Sequence, residues 1–357
     1  MNISNIYRWE LEKLYQMPVF YILVIMCIAW NCYLFWDAKG YHIEEIRYDV
    51  SYMQENPEGF AKDYYVDYYA IFDMHKIQQY SKAETDYDAF MDRNIEKNYT
   101  KLKVRTENMS DEERNSVMFT GNYKLHSFLF GDFLRWLLLE GMLLIGLTVL
   151  YSMHFEKYHR TEELMLVTKT GKDLFRIKLF VSGLFALLLS GLVLSVSLGI
   201  YFISIDYSSV WNSYISSNYN AGARIINDLY RTVYPYVTWV PMTVGQYLLA
   251  ALGIVFLLFL FMMLLMGMLS YWLNHSVKVV CVFIIFSFLL YILGNEIALP
   301  NAMEYVLKCN PVHLILKSGY WFMDYAPGDS YPLYELLTVV LWIGFAGGGL
   351  RVVWNRR

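Results

Sequence analysis

Residues 245–273 read GQYLLAALGIVFLLFLFMMLLMGMLSYWL, 29 residues without one Asp, Glu, Lys or Arg. As a helix this stretch would rise about 44 Å, well beyond the hydrocarbon thickness of a bilayer. A segment this apolar leaves its backbone N–H and C=O groups no water to bond, so it satisfies them internally, as a helix. Its surplus length lets it tilt or extend past the membrane. The same reading applies outward in both directions. Apolar runs cover Met17–Trp36, Phe133–Phe155, Ile177–Ile205, Val277–Gly294 and Leu333–Trp354. The chain therefore reads as an all-α integral membrane protein with about six transmembrane helices. Only 17% of its 357 residues are charged, against about a quarter in soluble chains. Its 32 Tyr and 10 Trp suit the two membrane–water interfaces. The first run has no small-x-small cleavage site before Asp37 and reads as a retained anchor. Three of the four cysteines, Cys27, Cys32, Cys281 and Cys309, lie in apolar runs, which implies no disulfide framework.

Basic residues near the span ends set the expected orientation. Lys157, Arg160, Lys169, Lys172, Arg176 and Lys178 flank the connection between the second and third runs. Arg8 and Lys13 precede the first run, and Arg351, Arg356 and Arg357 close the last. Six spans put all three places on one side, which the rule makes the cytoplasm. Residues 37–132 then lie outside, with 19 acidic and 12 basic residues. Three parts follow: 1–36, an interfacial helix and the first span; 37–132, an external domain; and 133–357, spans two to six, with a cytosolic loop at 154–178 and an external segment at 295–331. The external domain reads as helical. Tyr64, Tyr65, Tyr68, Tyr69, Ile71 and Phe72 share a face that continues through Ala89, Phe90 and Ile95. Asn56-Pro57 and Asn108–Asp111 read as breaks.

No catalytic constellation emerges. Gly171-Lys172-Asp173 lacks the earlier glycine and the Ser or Thr of a phosphate-binding loop. His154 and His159 read as solvated, and no Gly-x-Ser-x-Gly elbow is present. Asn98-Tyr99-Thr100 and Asn108-Met109-Ser110 match glycosylation sequons, a pattern common by chance. Glu140, in the second span, is the notable intramembrane charge. It reads either as part of a substrate or ion path or as a structural hydrogen-bonding group near the outer interface, paired with Arg135 or with Tyr side chains of another helix. Gly344 and Gly348 share a face of the last span, where close packing within the chain is favoured over a dimer seam.

Two stretches face the cytosol on this reading. In Ile3–Gln16, Ile3, Ile6, Tyr7, Leu11 and Leu14 recur at helical spacing among charges, before Pro18 turns the chain into the bilayer. The loop Thr161-Glu162-Glu163-Leu164-Met165-Leu166-Val167-Thr168-Lys169-Thr170-Gly171-Lys172 reads as a short helix capped by Thr161, ending before Gly171 and presenting Leu164 and Met165 beside acids. These features, in this order, resemble the membrane subunit of type-two ABC transporters, the ABCG-like or type V exporter fold. Asn310-Pro311 with the apolar Val312–Met323 resembles that family's external re-entrant segment, and the basic C-terminus fits it too. The large insert at 37–132 departs from the best-known members.

The resemblance implies a permease without catalytic, cofactor or metal residues of its own. ATP and magnesium would be bound by a separate ABC-type ATPase, contacted through a coupling helix containing Thr161, Glu162, Glu163, Leu164, Met165 and Thr168. A second permease copy or a related permease and membrane lipids are the other expected partners, and no nucleic acid is. A multi-pass protein of a bacterial cell membrane, with both termini cytoplasmic, is the expectation. The apolar spans suit a hydrophobic or amphipathic substrate: lipid, drug or peptide. The alternative is a membrane sensor or assembly protein that binds a ligand or protein with residues 37–132. A membrane enzyme would need clustered polar residues at one membrane depth, and the sequence alone displays only Glu140.

Overall fold

The computed structural model describes residues 3–37, 51–59, 88–116, 125–161, 171–208, 210–225, 231–297, 299, 301–323 and 331–355. Six of its helices are long and apolar enough to cross a membrane. Helix α1 (Ile3–Tyr15) precedes α2 (Pro18–Asp37), the first span, whose opening proline occupies a position where a missing N–H costs the helix nothing. Between the first two spans lie α3 (Ala89–Glu107) and α4 (Asp111–Asn115). A π-helical segment, Ser127–Phe133, leads into α5 (Leu134–Tyr158), the second span. Then come α6 (Gly171–Ser204) and α7 (Val244–Leu273). Helix α8 (Ser276–Tyr291), extended by a π turn through Glu296, is the fifth span. Two short helices, α9 (Met303–Lys308) and α10 (Pro311–Leu316), precede α11 (Tyr334–Asn355), the sixth.

Local chemistry sets the element ends. The Thr243 hydroxyl accepts from the Gln246 amide at 3.3 Å while the Gln246 side chain accepts from the Thr243 amide at 3.0 Å, a reciprocal cap that starts α7. Asn274, at φ 55°, ends it in the left-handed region that Asn tolerates. Asn310 caps α10, accepting from the His313 amide at 2.8 Å, with Pro311 at the first helical position. Of the expected breaks at Asn56-Pro57 and Asn108–Asp111, Asn56 and Asn108–Ser110 are non-helical, while Pro57 and Asp111 open helices: Asn108 closes α3, and the Ser110 hydroxyl caps α4.

Helices α5, α6 and α7 form the centre, while α8 and α11 lie at the margin. Glycines allow the central contacts. A β-carbon at Gly141 or Gly146 of α5 would run into Phe259 or Met262 of α7. One at Gly183 of α6 would strike Met263, and one at Gly267 of α7 would strike Leu179. At one end of the bundle Lys157 of α5 donates to the Asn274 carbonyl at 3.0 Å. There too Arg176 of α6 lies over Trp354 of α11, which stacks on Tyr271 of α7. This end also holds α1, so the first and last described helices, α1 and the end of α11, share one side, the termini side.

At the opposite end, the segment between the first two spans is tied to the α6–α7 connection. Gln54 donates to Asp206 at 3.0 Å, and the Tyr214 amide donates to the Ser116 hydroxyl at 2.9 Å. The segment before α5 meets the residues after α10 backbone to backbone, and a β-carbon on Gly319 would stand 3.0 Å from the Gly131 Cα.

Four details depart from the sequence reading. Helix α6 starts at Gly171 rather than near Ile177, six residues before its apolar run, because the run marks only the part that needs lipid. A two-stranded antiparallel hairpin, β1 (Ala221–Ile225) with β2 (Arg231–Pro235), lies between α6 and α7, an addition to the otherwise helical fold that no period-2 pattern announced. Phe90 is exposed, whereas Met91, Ile95, Tyr99 and Leu102 bury the inner face of α3. His154, read as solvated, is buried, because it lies on α5 itself, where its ring bonds the Leu150 carbonyl one turn earlier. The tyrosine-rich face at 64–72 lies outside the described residues.

Candidate functional site: a buried charge network and a membrane-embedded carboxylate

Four charges converge where α1 meets the span ends on the termini side. Glu156 sits on the last turns of α5, Lys178 on the second turn of α6, and Glu10 and Lys13 on α1. The Glu156 carboxylate bridges two helices: Oε1 takes the Lys13 ammonium at 2.5 Å, and Oε2 pairs with Lys178. Lys13 also meets Glu10 at 2.9 Å. All four side chains are under 9% exposed. The network is electrically balanced, two acids against two bases. Balance offsets part of the cost of burying these groups, since each charge alone would lose several kcal/mol of hydration.

Lys13 is held further. Its ammonium lies 3.2 Å above the Trp9 ring centroid and 4.7 Å from that of Phe155. Desolvation lowers its pKa, and the Glu10 carboxylate opposes the shift. Lys178 also donates to the Ser152 carbonyl at 3.3 Å. Ile6 and Leu14 bury the apolar part of the same face of α1, and Tyr7 meets the edge of Phe180 on α6. Helix α1 is thus bolted by ions and apolar contacts to both helices whose ends the 159–170 connection joins.

The second polar group lies within the bundle. Asn31 of α2 donates through Nδ2 to Glu140 Oε2 at 2.6 Å and to the Ser197 hydroxyl of α6 at 3.2 Å. Three spans are joined at one depth. Arg135, considered above as a partner of Glu140, instead pairs with Asp132 at 3.7 Å. The reason is helical geometry: Asp132 and Arg135 lie three residues apart on one face, whereas Arg135 and Glu140 are five apart.

Of the expected coupling-helix residues, Thr161 is described: its amide donates to the Glu156 carbonyl at 2.9 Å, closing α5 after Arg160 turns at φ 55°. Glu162, Glu163, Leu164, Met165 and Thr168 lie outside the described residues. Gly344 and Gly348 do not make the close packing within the chain that their spacing favoured, for a β-carbon at either would meet nothing within 4 Å. The close contact of this helix is one residue further on, where Gly349 meets Met268. Among the described residues no group of three or more His, Cys, Asp or Glu could hold a metal ion.

The sequence reading missed Glu10, Lys13, Glu156 and Lys178 as a set, and missed Asn31 and Ser197. A signal existed for some of them. Lys178 falls two residues inside an apolar run and Asn31 interrupts another, and polar groups there need partners. No family model, no curated protein and no solved structure matches the chain.

Proposed function

We propose that this chain is the membrane-spanning subunit of an ATP-driven ABC transporter, working with a separate ATPase that binds at the termini side, the cytoplasmic face on this reading. The observation that carries the proposal is the bolting of α1 to α5 and α6 through Glu156. A transporter of this kind must convert a push at one loop into movement of spans. Here the 12 residues between Tyr158 and Gly171 join helices whose ends are cross-tied by Lys178–Glu156 and braced by Lys13. A load on that loop reaches α5, α6 and α1 together, because their ends are tied to one another through Glu156. Nucleotide on the ATPase would favour one arrangement of the spans only through different affinities for the two arrangements. The absence of a phosphate-binding loop in the sequence assigns ATP and magnesium to the partner, and leaves this chain the path.

Leu164 and Met165 are the expected apolar anchors in the ATPase, with Glu162 and Glu163 at the rim. A few buried anchors carry most of an interface's energy, each costing about 2 kcal/mol or more on truncation. Replacing Leu164 and Met165 by Asp should abolish association with the ATPase while membrane insertion persists. Glu162→Lys with Glu163→Lys should weaken it in a salt-dependent manner. Wild-type association by both double variants overturns the reading and favours a sensor or assembly protein acting through residues 37–132.

A further inference from the structure

Among the described residues, no cation pairs with the Glu140 carboxylate. Its Oε2 accepts from the Asn31 amide at 2.6 Å, the one hydrogen bond to this carboxylate among the described residues. The nearest basic residue along α5, Arg135, is engaged by Asp132. A carboxylate at this depth is costly unless it is protonated or matched by positive charge.

Its surroundings say what could match it. Trp136 lies one turn before Glu140 on the same face of α5, and Trp30 adjoins Asn31 on α2. The two indoles meet edge to face at 5.7 Å, and Tyr33 lies 5.5 Å from Trp30. All three rings are open, with 41% of Trp30, 42% of Trp136 and 53% of Tyr33 exposed. The α2–α5 seam therefore presents aromatic faces at its rim and, one turn deeper, an anchored carboxylate. Aromatic faces attract cations through their quadrupoles, more strongly where water is excluded. When a cation sits against it the carboxylate can supply the matching charge, and Asn31, itself bonded to Ser197, fixes its position from behind. An apolar anion would be repelled here, and a neutral hydrocarbon would gain nothing from Glu140.

We infer that the α2–α5 seam is a binding site for lipophilic cations, with Glu140 as counter-ion and Trp30, Tyr33 and Trp136 as the aromatic rim. As the substrate site of a transporter it rests on the reading above; as a binding site it is tested without the ATPase.

The probe is tetraphenylphosphonium, whose charge does not titrate, with tetraphenylborate as its anionic counterpart of the same shape. Binding to the purified full chain in nanodiscs is measured by equilibrium dialysis against empty nanodiscs. The expected result is saturable binding of the cation and, in a separate dialysis, no saturable binding of tetraphenylborate. Glu140→Gln should raise Kd at least tenfold, and Trp136→Ala should raise it severalfold, both at unchanged melting temperature. Should Glu140→Gln fail to fold, Glu140→Asp keeps the charge and should still discriminate cation from anion, and Trp136→Ala still tests the rim. No saturable binding to the wild-type chain, equal binding of the anion, or wild-type affinity in the folded variants overturns the inference. Such a failure leaves the ATPase association untouched, just as a missing ATPase leaves this binding untouched.

Discussion

Replacing Glu156 by Gln removes the one carboxylate shared by Lys13 and Lys178. Two ammonium groups then remain buried with only Glu10 near Lys13. Removing one partner of a buried ion pair costs about 3–5 kcal/mol, mostly through the stranded charge. Against this stand the apolar contacts of α1. Ile6 and Leu14, each 1% exposed, are worth about 1.5–3 kcal/mol apiece against water, and less where lipid is the alternative. The two terms are of one size, so the variant chain can shed its strain by releasing α1. The expected outcome is a helix that undocks while the spans stay folded. A cysteine at Leu14 should be protected from a maleimide in the wild-type background and labelled rapidly with Glu156→Gln. Lys178→Met added to Glu156→Gln should recover part of the loss, since it removes one stranded charge, giving a coupling energy of about 1–3 kcal/mol in a double-mutant cycle. If Glu156→Gln changes unfolding by less than about 0.5 kcal/mol, the size of an ordinary surface substitution, and Leu14 stays protected, the network does not hold α1.

Three further outcomes follow from the same structure. Gly141→Ala should destabilise by about 1–3 kcal/mol in denaturant unfolding, because its methyl group meets Phe259, whereas Gly344→Ala should be neutral or slightly stabilising. His126 is buried against Tyr236 and its Nε2–H donates to the Gly319 carbonyl at 2.9 Å, and burial holds its pKa down to about 4, below the ordinary 6.5. The unfolded chain then binds more protons between those values, so this group's contribution is complete above pH 6.5 and is lost as pH falls toward 4, by up to about 3 kcal/mol; His126→Phe should flatten that part of the stability profile. Cysteines placed at the exposed Asn108 and Arg160 should label from opposite faces of sealed vesicles, and labelling of both from one face contradicts the six-span arrangement.

The spans were legible because lipid leaves a signal that needs no partner. A run such as 245–273 is apolar all round, and its helix follows from backbone hydrogen bonding alone. The polar sites were less legible because each draws residues far apart in sequence. Glu10, Lys13, Glu156 and Lys178 meet only after three helices have packed, and in the sequence each looks like a flanking charge near a span end. Glu140 could be seen as a charge in an apolar run, but its partner Asn31 is 109 residues away. His154 and Gly344 misled for a related reason. Helical spacing tells which residues share a face, and does not tell which faces a neighbour covers.

A permease of the kind proposed has to have an ATPase to serve. The most direct measurement is purification of the tagged full-length chain from its native membrane in mild detergent, followed by mass spectrometry of what accompanies it. A stoichiometric ATPase with a phosphate-binding loop is expected, lost when Leu164 and Met165 are both replaced by Asp. A wild-type chain that purifies with no ATPase, from membranes where it is stably folded, contradicts the permease role.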